Sequence, residues 1–124
     1  FFYDTITSVQ LLCAVPIFSQ GACYTMVRHI IFWTFSDNVN DSNRKEVLKM
    51  MSDSAKNLVG KIPGLIKAEI GENFADSDCD FVFYAEFERM ENIPAFQVHP
   101  LHVAHKERSA PYVKTRFVAD FVSE

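Results

Sequence analysis

Cysteine is sparse: Cys13, Cys23 and Cys79 are the only three in 124 residues. An odd number at irregular spacing gives neither a disulfide framework nor a zinc-ligand pattern, so reduced thiols are expected. Clusters of Lys and Arg are missing too, and the formal net charge is -4. A mildly acidic chain without a basic patch lacks the attraction that drives phosphate-backbone binding, which argues against nucleic acid as a partner. The apolar run from Leu11 to Phe18 is far short of the roughly 20 residues a helix needs to cross a bilayer, and no membrane partner is expected. What the chain does have is apolar mass. Hydrophobic residues make up 48% and aromatics 14%, twelve of them Phe, which excludes a disordered chain and suits one domain with one core.

Residues 1–25 contain no Lys or Arg and do not begin with Met. One reading is the apolar region of a secretory signal, with Gly21-Ala22-Cys23 as a processing site. The basic leading region is missing, however, and Gln20 fits a lipoprotein cleavage motif poorly. The favoured reading is an extension outside the domain, with the natural start at Met26. The domain is then expected over residues 26–124 in the cytoplasm, with export following only if residues 1–25 are a genuine signal.

From Met26 onward the pattern alternates between two periods. Val27 to Phe35 is rich in β-branched and aromatic residues, as a strand prefers. Val27, His29, Ile31, Trp33 and Phe35 share one face, while Arg28, Ile30, Phe32 and Thr34 share the other. After a polar loop with Asp41 or Ser42 as cap, Val47, Met50, Met51, Ala55 and Leu58 form a helical stripe that stops at Gly60. Leu65 to Gly71 reads as a half-solvated strand. The acidic run Asp76 to Asp80 lacks the glycine and distal Glu of a calcium loop and reads as solvated. Phe81 to Phe87 alternates strictly. A short helix follows within Glu88 to Val98, disturbed by Pro94, then a second helical piece from Pro100 to about Ala110 and a last strand from Thr115 to Phe121.

The order β-α-β-β-α-β predicts an α+β, ferredoxin-like domain: a four-stranded antiparallel sheet with helices on one face. The opposite face, with Ile30, Phe32, Val82 and Tyr84, is too apolar for water. A homodimer that packs sheet against sheet covers it economically.

Met26-Val27-Arg28-His29 opening a strand resembles the start of the stress-responsive dimeric α/β-barrel family, also called Dabb. Ile62-Pro63-Gly64 before the second strand, the strand Phe81–Phe87 and His99-Pro100-Leu101-His102-Val103 agree with it in order. The resemblance spans Met26 to Val122. It implies a homodimer whose sheets form a barrel, and a pocket between sheet and helices. A more distant resemblance is to olivetolic acid cyclase, a plant polyketide cyclase of this family. Its first-strand histidine corresponds to His29 and its catalytic histidine to His102, but its catalytic tyrosine corresponds to Phe96, which has no hydroxyl. That departure argues against the same cyclisation.

Three of the four histidines, His99, His102 and His105, fall within seven residues around Pro100. His102, in the first turn of its helix, is the candidate general base, because an imidazole exchanges protons near neutral pH. His29 is the expected helper, and His99 is expected to cap the helix. His105 reads as a solvated or rim residue. His102 and His105 with His29 or His99 would supply three nitrogens for a metal, the less favoured arrangement, and no metal or other cofactor is expected. Ile31, Trp33, Met51, Phe81, Phe83, Phe96 and His99 are the expected pocket residues. The leading functional expectation is a dimeric A/B barrel protein that binds a small hydrophobic ligand. Its alternative is a cofactor-free lyase or cyclase of polyketide-like carbonyl substrates using His102, and a weaker one is a cofactor-free monooxygenase.

Overall fold

Alternation in the first strand sets the architecture. In the computed structural model, which describes residues 25–124, β1 runs over Met26–Phe35 and presents Val27, His29 and Ile31 inward, all buried. The apolar run from Leu11 to Phe18, the Gly21-Ala22-Cys23 step, Cys13 and Cys23 lie outside the described residues. β1 is followed by helix α1 (Arg44–Lys56), strands β2 (Leu65–Glu72) and β3 (Phe81–Phe87), helices α2 (Asn92–Val98) and α3 (Pro100–Ser109), a 3-10 turn (Ala110–Tyr112) and strand β4 (Val113–Ser123). The sheet order is β2-β3-β1-β4, and every neighbouring pair is antiparallel. This is the α+β, ferredoxin-like arrangement, with β1 and β3 central and buried where helices cover them.

Several boundaries differ from the sequence expectation. Helix α1 starts at Arg44, with Asn43 rather than Asp41 or Ser42 at the N-cap, and no side chain caps it. The Asn40 side chain instead accepts from the backbone of Ser42 and Asn43, so the polar loop closes on itself. Helix α1 ends at Lys56, ahead of Gly60, and turns carry the chain onward. Gly60 and Gly64 have φ of +85° and +81°, which favour glycine. At Gly64 a Cβ would also come within 2.2 Å of the Asn92 side chain. That close approach lets Gly64 accept from the Glu88 backbone at 2.9 Å and ties the start of β2 to the segment leading into α2. Pro94 sits in the first turn of α2, where a missing N–H costs nothing.

The core is the inward sheet face against α1 and α2. Ala55, Leu58 and Ile62 pack with Val27, Phe83, Phe87 and Phe96, and a second group joins Val47, Met51 and Phe81. The last strand extends further than Thr115 to Phe121, because its pairing with β1 continues to Ser123 opposite Met26. Among the described residues no helix is long and apolar enough to cross a membrane.

Candidate functional site

Between the inward sheet face and the helices lies a cavity of about 430 Å³, within the size range of small-molecule sites. Its floor is aromatic and aliphatic: Ile31 and Trp33 from β1, Ile70 from β2, and Phe81 and Phe83 from β3. Met51 of α1 closes one side. Trp33 and Phe81 stack with centroids 6.2 Å apart and planes inclined by 14°, which makes this floor flat and rigid. Three imidazoles, of His29, His102 and His105, complete the lining with Gln97, Lys106, Ser109, Ala110, Val113 and Arg116. Gln97, Lys106 and Arg116 are exposed, so they form the rim.

His29 stands on β1, enclosed edge-on by Phe83, Phe87 and Phe96 at 5.9–6.1 Å. The antiparallel register sets Asp120 of β4 directly opposite it, and the His29 Nδ1–H donates to the Asp120 carboxylate. A carboxylate only accepts, so this bond places a ring proton on Nδ1; in the neutral form of the ring Nε2 is then the lone-pair nitrogen, on a side chain that lines the cavity. A carboxylate–imidazole pair of this kind orients a histidine for proton transfer.

His102 is held differently. His99, in extended conformation before Pro100, accepts from the Leu101 backbone N–H through its own Nδ1 at 3.1 Å and starts α3. That cap directs the first turn of α3 inward, and the His102 ring stacks on Phe96 with centroids 3.8 Å apart. Its Nδ1 is buried without a hydrogen-bond partner. Burial, assisted by the nearby His105 and Lys106, pushes the His102 pKa down to about 4. The ring is therefore neutral at pH 7.

His105 is not a solvated rim residue, as its helical position had suggested: it is 7% exposed and lines the cavity. The reason is α1, whose Ser54 lies against it. Arg108 donates to Ser54 Oγ at 2.8 Å and 3.1 Å, so the serine hydroxyl donates onward to His105 Nδ1 at 2.8 Å. Burial, with the Arg108 charge adding to it, lowers the His105 pKa to about 4. His102 and His105 are thus two neutral rings, stacked 6.1 Å apart along one side of the cavity.

Of the residues singled out in the sequence, the cavity brings together His29, His102, Ile31, Trp33, Met51, Phe81 and Phe83. Phe96 and His99 are not among its lining residues. Phe96 is wholly buried between the His29 and His102 rings, and His99 spends its side chain on the helix cap. Among the described residues no group of three His, Cys, Asp or Glu side chains is placed to hold a metal. Sequence reading missed Asp120, Arg116, Lys106, Gln97 and Ile70. The signal available was parity: Arg116 and Asp120 are four apart in an alternating strand and share its inward face.

The sequence profile of the stress responsive A/B barrel domain matches residues 27–123. The chain belongs to the Dabb family. Among solved structures, a dimeric ferredoxin-like protein of unknown function from Bacteroides fragilis shares 26% identity with this Dabb chain, covering 77% of it and 94% of the other, at a TM-score of 0.68. A Dabb family protein with a ferredoxin-like fold from Mesorhizobium loti shares 25% identity over 81% of this chain and 98% of its own, at a TM-score of 0.62. The hydroxynitrile lyase from Passiflora edulis is 14% identical over 80% of this chain and 94% of its own, with a TM-score of 0.63, a likeness of fold alone. Among curated proteins none is significantly similar in sequence.

Proposed function

We propose that this Dabb protein is a homodimeric small-molecule binder whose ligand occupies the cavity between sheet and helices. The observation that carries the reading is the cavity itself: about 430 Å³, floored by Ile31, Trp33, Ile70, Phe81 and Phe83. Burial of a ligand against that floor contributes about 25 cal/mol per Å² of apolar surface removed from water. The dimer follows from the outward sheet face, where Phe32, Phe117 and Phe121 stand exposed around Ile30, Val82 and Tyr84. A two-fold axis would let that patch cover itself, and the solved relative from Bacteroides fragilis is described as dimeric, which supports the reading. Calorimetric titration with 1-octanol tests the pocket. Saturable binding is expected in the native chain, and loss of it in Ala110→Trp, which puts an indole at an exposed lining position. Binding that survives Ala110→Trp unchanged would place the ligand elsewhere.

The histidines favour a second reading, proton transfer at a carbon next to a carbonyl. His29 and His102 line one cavity, and Asp120 holds the His29 proton on Nδ1. In this reading the roles expected from the sequence exchange. His29 Nε2 takes the proton, Asp120 balances the imidazolium that forms, and neutral His102 hydrogen-bonds the carbonyl oxygen through a ring N–H. A pKa near 4 makes His102 a weak base but suits it to neutral donation. Solvent deuterium exchange into the α-carbon of 4-phenylbutan-2-one provides the check. Catalysed exchange that vanishes in both His29→Ala and His102→Ala is expected; exchange at the buffer rate in the native protein rules the reading out.

A further inference from the structure

The cavity is apolar at its floor and one-signed at its rim. Its fully charged lining residues are Lys106 and Arg116, and no Asp or Glu lines it, in a chain whose net charge is -4. Among the described residues the ion pairs are Arg28–Glu86, His29–Asp120, Arg44–Glu72, Lys49–Asp53 and Lys67–Glu69, and neither Lys106 nor Arg116 takes part in one. The nearest inward carboxylate along β4, Asp120, is already committed to His29.

Arg116 is not a freely solvated arginine. The register puts it opposite Trp33, and its guanidinium carbon lies 6.0 Å from the centre of the Trp33 ring. A cation–π contact at this distance favours placing the guanidinium at the cavity edge while its N–H groups stay available. Lys106 comes from the other side, one residue after His105 on α3. Its charge is close enough to contribute to the low pKa of His102. Two cations, one from α3 and one from β4, thus line the same low-dielectric cleft, which focuses their field.

We infer that the cavity selects an amphiphile with a terminal carboxylate, its apolar body against Trp33, Phe81 and Phe83 and its anionic end held by Arg116 and Lys106. The inference rests on the pocket reading and adds a ligand class to it. A carboxylate suits the guanidinium fork, which donates two parallel N–H bonds to its oxygens. The body is a medium aliphatic chain or a single ring, since either fits the volume.

The test compares octanoate with 1-octanol, which share the tail and differ in charge, by calorimetry on the full chain at pH 8. Octanoate is expected to bind about tenfold tighter or more, as hydrogen bonds to charged groups allow. Arg116→Gln and Lys106→Met should each remove most of that preference, read as the ratio of octanoate to octanol affinity in the same variant. Arg116→Lys should keep part of it, and Lys61→Met, away from the cavity, all of it. 4-Propylbenzoate in parallel distinguishes the two bodies: the tighter of the two acids identifies the one selected. Octanol binding as tightly as octanoate overturns the carboxylate inference and leaves the pocket standing. A preference that survives Arg116→Gln combined with Lys106→Met overturns it as well. If neither octanol nor the acids bind, the pocket reading itself fails, and this inference with it.

Discussion

The inward face of the central strands carries His29, Ile31, Phe83 and Ala85, none more than 7% exposed, while the outward face carries Phe32 at 41% and, across from it on β4, Phe117 at 80%. The two faces are made by the same alternation and nearly the same residue types. They differ in what lies over them. Helices cover the inward face and leave a cavity where their spacing is too wide for side chains to fill. Among the described residues nothing covers the outward face, and three of its polar members form one cluster, in which Arg28 binds Glu86 at 3.0 Å and also meets the Tyr84 hydroxyl. Under the proposed dimer, exposure of these aromatics is a property of the isolated subunit, whereas the polarity of the cavity belongs to the subunit itself.

The comparison breaks most severely at its inward centre. Phe96→Ala removes a ring in contact with Phe87, Phe83, His29 and His102 and is expected to cost about 3–5 kcal/mol, read from denaturant midpoints. Next comes pH. His102 and His105 have folded pKa values of about 4, below the ordinary 6.5, so between those values the unfolded chain binds more protons. Their contribution to stability is complete above pH about 6.5 and is lost as pH falls toward about 4, on the order of 3 kcal/mol for each ring. Replacing both by Leu should flatten stability across that window; an unchanged slope would show that the rings do not titrate there.

The outward face answers to a different variant. Phe117→Asp leaves the subunit core alone and should weaken self-association about a hundredfold, in sedimentation experiments, since a two-fold axis counts the change twice. A monomeric native chain at micromolar concentration would remove the outward half of the comparison altogether. The smallest expected effect is Asp120→Asn, about 1 kcal/mol, because the carboxylate is 42% exposed and its bond to His29 is partly solvated. The informative readout there is the His29 tautomer by ¹⁵N NMR, which should lose its fixed Nδ1 proton.

Much of the fold was legible because alternation and helical stripes are local. Strand Phe81–Phe87 carries a strict two-residue period, and its ends fall where the sequence put them. The apolar stripe of Val47, Met51 and Ala55 likewise fixes which side of α1 is buried. The site was legible only in part. His29 and His102 reach one cavity, but that Asp120 faces His29 depends on the register of two strands ninety residues apart, which no local pattern encodes. His105 was misplaced for a similar reason. Its burial comes from Ser54 and Arg108 closing around it, a contact between two helices that sequence spacing does not reveal.

The central claim is that the inward cavity is a ligand site bounded by three histidines and not by the fourth. Long-range ¹H–¹⁵N imidazole spectra recorded during titration with 1-octanol test it most directly. The account predicts saturable shifts at His29, His102 and His105, all lining residues, with His99 unmoved at its helix cap. Shifts at His99 equal to the others, or no shift at any of the four, would contradict it.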